Sequence, residues 1–484
     1  MTATTDTSTS SGTEGGAGPG LRRGKLGVLA IVFFVIAAVA PLGSVIGGSP
    51  VVFAAVGVTA PMMYIIVGVV FAVFAVGFVA MSRHIANAAG FVAFIARGLG
   101  SRLGGALAGV AVLGYVALTC GLWAIVAGIA EETMSGLGLS VPGWVWWLVG
   151  LTLVTVLCAV GIDVSLRVLG VLVILEIVAL LFVALVVIIG GGATGSLDLE
   201  SFNPANIVPS GVGIAVLFAA TCYTGFEATV VFSEEARTPA KTIPRAAYIA
   251  IAFIGIFYAF ITWTLANAWG ADQVQAAAQA DPVGFVFIVA ATFGPPWLST
   301  ALGLLMIAGS MAMFIGLHNL LSRYLFALGR SGMLPAALAR TSKSGTPRVA
   351  VLTFSAVVLV IVGGFLLSGA GLMTVIYPWL TSLGTVSLIL VLVVTCVAVV
   401  AFFAGKKAED AKVWHTKIAP VIAGIGFVII ELLAIFNYDA LLGGSGGIAR
   451  WLILLVPVAF VAGYWRAASR SRAGKPVEFE DSAL

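Results

Sequence analysis

A helix needs about 20 consecutive apolar residues to cross the hydrocarbon core of a bilayer, and stretches of that length recur along this chain from Leu26 to the neighbourhood of Trp465. Soluble domains carry roughly 25% charged residues, whereas this chain carries 9% and is 61% hydrophobic. Its solvent is therefore lipid. Only helices and closed barrels satisfy every backbone polar group in lipid, and these runs are continuously apolar rather than alternating, so the expected class is all-α integral membrane.

Charged or Gly/Pro-rich breaks divide the runs into spans near 26–57, 60–81, 103–130, 144–162, 168–190 and 211–233, followed by 246–270, 295–322, 349–368, 372–404, 418–436 and 448–465. Twelve transmembrane helices are expected. Lys and Arg concentrate in cytoplasmic loops; with the amino terminus inside, this division puts 23 of the 24 Lys and Arg on one side, leaving Arg450 on the other. One span more or fewer would scatter those charges. The expectation is thus a multi-pass protein of the cell (inner) membrane with both termini cytoplasmic. Residues 1–20 are Thr-, Ser- and Gly-rich and read as a disordered cytoplasmic tail. The first span is too long for a cleaved signal region. A ten-span core is expected over 21–404, spans eleven and twelve over 405–468, and a second cytoplasmic tail over 469–484. Cys120, Cys158, Cys222 and Cys396 lie in or at the ends of spans, so they read as small packing residues rather than a disulfide framework or a zinc cluster.

A helix that merely anchors has no reason to interrupt itself in lipid, where each unpaired backbone group costs several kcal/mol. The first span nevertheless carries Pro41, Gly43, Gly47, Gly48 and Pro50 in its middle. Proline removes a donor and glycine weakens the helix, so two half-helices joined by extended backbone are expected. The sixth span has a weaker signal in Thr221-Cys222-Tyr223-Thr224-Gly225-Phe226-Glu227. Interruptions in the first and sixth spans point to an inverted-repeat transporter with its site at the repeat interface, spans one to five (about 26–190) mirrored by six to ten (about 211–404). Isolated glycines are common in membrane helices because they permit close packing; the cluster between Pro41 and Pro50 is denser than that accounts for.

The sixth-span stretch from Phe218 to Glu227, followed by Glu234-Glu235-Ala236-Arg237-Thr238-Pro239 and Ile243-Pro244-Arg245-Ala246, resembles the signature of the amino acid-polyamine-organocation permeases. Met81-Ser82-Arg83-His84-Ile85-Ala86-Asn87-Ala88-Ala89-Gly90, and Asn319 to Arg323 with Arg330-Ser331-Gly332, are similar to the same family. The first break departs from its usual Gly-x-Gly form. The resemblance implies a LeuT-like 5+5 inverted repeat, here with two further C-terminal helices, in which the backbone groups of the substrate bind the two unwound segments. Physics points the same way: half-helix amino termini suit a carboxylate, while carboxyl ends and free carbonyls suit an ammonium. Candidate substrate contacts are Pro41, Gly43, Ser44, Gly47 and Gly48 on the carboxylate side. Thr221 and Thr224 are placed toward the amine, Cys222 and Gly225 are further candidate contacts, and Tyr223 and Phe226 are candidate gates or walls.

Charged residues within spans are costly, and each is a functional hypothesis. Glu176 lies in the fifth span, Glu227 in the sixth-span break and Glu431 in the eleventh, none with a Lys or Arg in the membrane to pair with. Glu176 falls where the resemblance implies a lysine in several proton-coupled relatives. A carboxylate there would carry a proton or bind a cation, which leaves H+ and Na+ coupling open. Ser310 is a further candidate cation ligand, with a hydroxyl bonded to its own helix as the plainer reading. Glu227 either couples an ion or accepts the free N–H groups of the following half-helix. Glu431, outside the ten-helix core, suits packing or a subunit contact, and His318 reads as a bundle histidine.

The resulting expectation is a permease importing a neutral or cationic amino acid by proton or sodium symport. No buried Arg or Lys is available for an acidic side chain. An amino acid or polyamine exchanger of the same fold is the alternative. An integral membrane enzyme would want clustered catalytic groups or metal ligands, and a channel would want charge rings or a carbonyl filter; neither is seen. The partners expected are a small amino acid or amine and the lipid bilayer, with no nucleic acid, no cofactor and no metal beyond the coupling ion.

Overall fold

A computed structural model describes residues 27–85, 90–161, 166–226, 229, 236–342, 345–405, 412–444, 447–475 and 477. Glu227, Glu234, Glu235, Asn87 and residues 1–20, all singled out from the sequence, lie outside the described residues.

The fold is all-α. Its principal helices are α1 (Val28–Val39), α2 (Ser49–Val56), α3 (Ala60–Ser82), α4 (Ser101–Gly136), α5 (Gly143–Val160), α6 (Leu166–Gly190) and α7 (Val212–Thr221). They continue with α8 (Pro239–Trp269), α9 (Trp297–Arg330), α10 (Arg348–Leu367), α11 (Tyr377–Gly405), α12 (Ala419–Phe436) and α13 (Leu455–Arg472). Among the described residues, 10 helical stretches are long and apolar enough to cross a membrane. The first is the 55-residue run Val28–Ser82, and the count rises to 11 if Val274–Ala280 and Phe285–Phe293, which bend by 119°, form one crossing.

Packing follows from small residues. Backbones approach closely in membrane bundles where glycine or alanine faces a neighbour, and α13 lies along α4 in this way: a Cβ on Gly109 or Gly463 would strike the backbone of the facing helix. α3 packs on α8, α4 on α11, and α12 against α3, α7 and α11. The outer faces are a lipid-suited belt in which Ile189, Ile256, Val360, Val461 and Trp465 are each more than half exposed.

The first run does break, but not as extended backbone. α1 ends at Ala40, the one non-glycine residue with positive φ among those described (φ 46°, ψ 85°). The chain then re-enters helix at once through Pro41–Gly43, a π-helical turn at Ser44–Gly48, and α2. The expectation of two half-helices stands, while that of an extended joint is corrected. Pro41 and Pro50 occupy first-turn positions, where the missing N–H costs nothing. The wider π turn accommodates Gly47 and Gly48 without unwinding. The bent pair after α8 is fastened to the end of α2 by side-chain amides: Gln275 Nε2 and Gln279 Nε2 donate to the Ala54 carbonyl at 3.1 and 3.0 Å.

Candidate substrate site

The second interruption is local in construction. α7 ends at Thr221, and residues 222–226 follow as turns in which the Cys222, Tyr223 and Thr224 N–H groups each reach a carbonyl three residues back. Gly225 adopts φ +115°, a conformation closed to side chains. A Cβ there would also lie 3.3 Å from that of Ala38, the residue two before the first break. The two interruptions therefore meet. A cavity lies between them, lined by residues of both.

Gly43, Ser44, Gly47 and Gly48 line this cavity on one side, and Thr221, Cys222, Thr224 and Gly225 on the other. Ser310 of α9 joins them. The Ser44 hydroxyl donates to the Val39 carbonyl at 2.7 Å, occupying a backbone acceptor released by the break. Thr221 Oγ1 donates to the Leu217 carbonyl at 3.1 Å and lies 3.1 Å from Thr385 Oγ1 of α11. The Tyr377 hydroxyl donates to the Gly47 carbonyl at 3.1 Å, tying α11 to the π turn.

Three of the expected contacts lie elsewhere. Pro41 is buried but is not part of the cavity wall. Tyr223 donates to the Tyr64 carbonyl at 2.9 Å and stacks on Phe71 at 4.8 Å. Phe226 sits edge-on to Phe71 and Phe74. These two aromatics, candidate gates or walls, do not line the cavity in this structure: once α7 has ended, the turns direct them into an aromatic cluster with α3, where such rings gain most from burial.

Glu176 of α6 is 2% exposed and does not line the cavity. Its Oε2 accepts the Leu42 N–H at 3.1 Å, and the carboxylate packs against Gly309 of α9, in the space a Cβ there would need. The sequence had left Glu176 without a partner; its partner is a main-chain donor of the interrupted helix. An N-terminal carboxylate of this kind stabilises through both the hydrogen bond and the helix dipole. That role had been considered for Glu227, at the other break. His318 is fully buried, with Nδ1 3.1 Å from the Phe314 carbonyl and Nε2 without a partner among the described residues. Glu431 Oε2 is likewise buried without a partner among the described residues. No group of His, Cys, Asp or Glu among the described residues is arranged to hold a metal ion, and all four cysteines are free and buried.

The rest of the wall was not anticipated from the sequence. Leu118, Leu122, Ile125 and Val126 of α4 face Met306, Met313 and Leu317 of α9 across the cavity. Their spacing of three and four residues marks one face of each helix. In a helix apolar all round, that spacing gives no signal. Among the described residues no charged side chain is part of the wall. The arrangement offers main-chain polar groups and hydroxyls at the two breaks, with an aliphatic and thioether pocket beside them.

Comparison with known proteins places this geometry in a class. The amino acid permease family matches residues 30–476, and the chain belongs to that family of membrane transporters, which are not enzymes. Among similar curated proteins, a branched-chain amino acid permease of Lactococcus lactis is 30% identical over 32% of this chain and 31% of its own length. One of Bacillus subtilis is 27% identical over 42% and 41%. An uncharacterized transporter of Mycobacterium tuberculosis is 25% identical over 52% and 50%. The chain thus spans half or less of the length of these curated relatives. A solved manganese transporter mutant of Eremococcus coleocola shares the fold, with a TM-score of 0.54 at 14% identity, covering 92% of this chain and 95% of that one.

Proposed function

We propose that the chain is a secondary transporter that imports a neutral, aliphatic amino acid across the cell membrane by proton or sodium symport. The observation that carries this reading is the cavity itself: two helix interruptions meet at a pocket whose remaining walls are chiefly Leu, Ile, Val and Met with the rings of Tyr115, Phe218 and Tyr377, and among the described residues no charged side chain lines it. The amide groups around Gly43 suit a carboxylate and the hydroxyls of Thr221 and Thr224 suit an ammonium. The apolar walls suit a branched side chain, and the described residues give neither an acidic nor a basic side chain a partner. The names of the two branched-chain permeases agree with this choice.

The finer topology belongs to the same proposal. Dividing Val28–Ser82 at Gly57 and counting the shorter apolar helix Pro209–Thr221 as part of a crossing gives twelve spans. The termini are then cytoplasmic, and an inverted repeat relates the two interrupted spans. Glu176, beside Gly309 and one residue from Ser310, is the candidate coupling group, offering hard oxygen donors to a cation or a carboxylate to a proton.

The test is uptake into proteoliposomes of leucine, isoleucine and valine, compared with alanine, glutamate, arginine and putrescine, at two pH values with and without a sodium gradient. Saturable uptake of the branched residues driven by one of these gradients is expected. Preference for arginine or putrescine would overturn the substrate assignment, and uptake driven only by an opposing amino acid gradient would replace symport by exchange.

A further inference from the structure

Away from the central cavity, α3 and α8 pack through glycines. A Cβ on Gly68 would lie 3.6 Å from the Gly255 Cα, so the two backbones nearly touch. Beside that contact the small side chains of Ala72, Ala252 and Ala259 leave a groove of about 720 Å³. Its rim residues Val69 and Ile256 are exposed, so the groove opens outward to the lipid rather than into the bundle. Among the described residues no charged side chain lines it. Leu199 and Phe202 close one end, on a loop that Trp263 pins by donating from Nε1 to the Asp198 carbonyl at 2.8 Å.

Toward the other end, the same face of α8 changes character. Trp263, Ala259, Gly255, Ala252 and Tyr248 line the groove, and steps of three and four residues carry that face on to Arg245 and Lys241, both exposed. Arg83, just past the end of α3, is also exposed, and its charge is felt at the Tyr248 hydroxyl. None of the described residues at this mouth is acidic. From Tyr248 to Trp263 the helix rises about 22 Å, more than one leaflet of a core about 30 Å thick. A chain rooted at the basic mouth therefore stays within the groove. Under the topology proposed above, that mouth opens at the cytoplasmic surface.

We propose that this groove binds one anionic phospholipid of the cytoplasmic leaflet, an acyl chain lying between α3 and α8 and the phosphate held by Arg83, Arg245 and Lys241. The order of chemistry along the face, apolar trough, then phenol, then three cations, is the order of chain, glycerol and phosphate in such a lipid. Basic residues just cytoplasmic of a span attract anionic headgroups. A second copy of the chain fits this face less well. A two-fold pair packed through it would bring the same residues of both copies together, and the two basic mouths, at equal depth in the membrane, would repel.

The test titrates the purified protein with phosphatidylglycerol or phosphatidylcholine and counts retained lipids by native mass spectrometry. Wild type is expected to retain one phosphatidylglycerol about tenfold more tightly than phosphatidylcholine. Arg83→Gln together with Arg245→Gln should bring the two lipids within about threefold of each other. Ala252→Trp, which fills the trough from an exposed position, should weaken phosphatidylglycerol about tenfold, and Ala72→Trp on the facing helix repeats that test should the first variant not fold. Val360→Trp, exposed on α10, controls for added bulk and should change nothing. Phosphatidylglycerol carrying a diazirine in its chain should cross-link within residues 248–263. Equal retention of both lipids by wild type, or undiminished phosphatidylglycerol retention by a folded Ala252→Trp, would overturn the proposal. So would displacement by millimolar glycerol phosphate, which would assign the cations to a soluble phosphate ester, or a wild-type dimer that Ala252→Trp makes monomeric, which would assign the groove to a second copy.

Discussion

The two interruptions face one another across the same cavity yet are held by different means. At the first, a single left-handed residue, Ala40, interrupts the helix, and the first N–H beyond it, that of Leu42, is taken by a carboxylate from a helix 134 positions away in sequence. At the second, the chain supplies its own partners through short-range turns from Cys222 onward and relies on glycine at Gly225. One break is secured by tertiary structure and the other by local structure. The first break therefore depends on a side chain from another helix, whereas the second depends mainly on residues adjacent in sequence. The proposed coupling at Glu176 would act on the first.

Five substitutions at four positions would break or sharpen that contrast. Glu176→Ala should have the largest effect. It leaves the Leu42 N–H buried without an acceptor, at about 1–3 kcal/mol, and uptake in proteoliposomes should drop by roughly 10- to 100-fold. Glu176→Gln keeps an acceptor, so it should fold with a melting temperature near wild type while its uptake loses the dependence on the driving ion. A Gln variant with full ion dependence would remove Glu176 from coupling. Next is Gly225→Ala, which forces a side chain into φ +115° against Ala38. Strain of about 1–3 kcal/mol is expected, with uptake reduced about tenfold, and unaltered uptake would show that the second break is not fixed.

Thr221→Val comes third. It removes the contact with Thr385, which still donates to the Thr381 carbonyl at 2.8 Å, so the loss should stay near 0.5–1.5 kcal/mol. If Thr221 faces the ammonium, KM for leucine should rise while kcat changes little. The smallest effect is expected from Ala40→Gly. It relieves a left-handed conformation costing roughly 1–2 kcal/mol but adds the unfolded-state entropy of glycine, roughly 0.5–1 kcal/mol. The melting temperature should rise slightly or stay level with transport intact. A marked loss of uptake would mean that Ala40 contributes through its side chain.

Much of the site was legible before any coordinates. The Pro41–Pro50 cluster located the first break, and the Thr221–Phe226 stretch the second, because proline, glycine and hydroxyl residues stand out against an apolar background. What the residue types did not convey was direction. Tyr223 and Phe226 lie beside cavity residues in sequence but turn to an aromatic cluster on α3. Leu118, Ile125 and Met313 looked like any other membrane residue and form the wall. In water, a polar face would have marked which side of a helix is buried; in lipid, the inner and outer faces of a helix are equally apolar.

The sequence by itself determined that the chain is a bundle of membrane helices and where two of them are interrupted. Both follow from the cost of an unpaired backbone group in hydrocarbon, a cost set by local residue type. Tertiary structure alone decided that the interruptions meet, that the π turn rather than extended chain follows Ala40, and that Glu176 answers the Leu42 N–H. Those outcomes depend on which helices are neighbours. In a membrane that choice rests on close packing of small residues and a few long-range polar contacts, which leave no periodic trace along the chain.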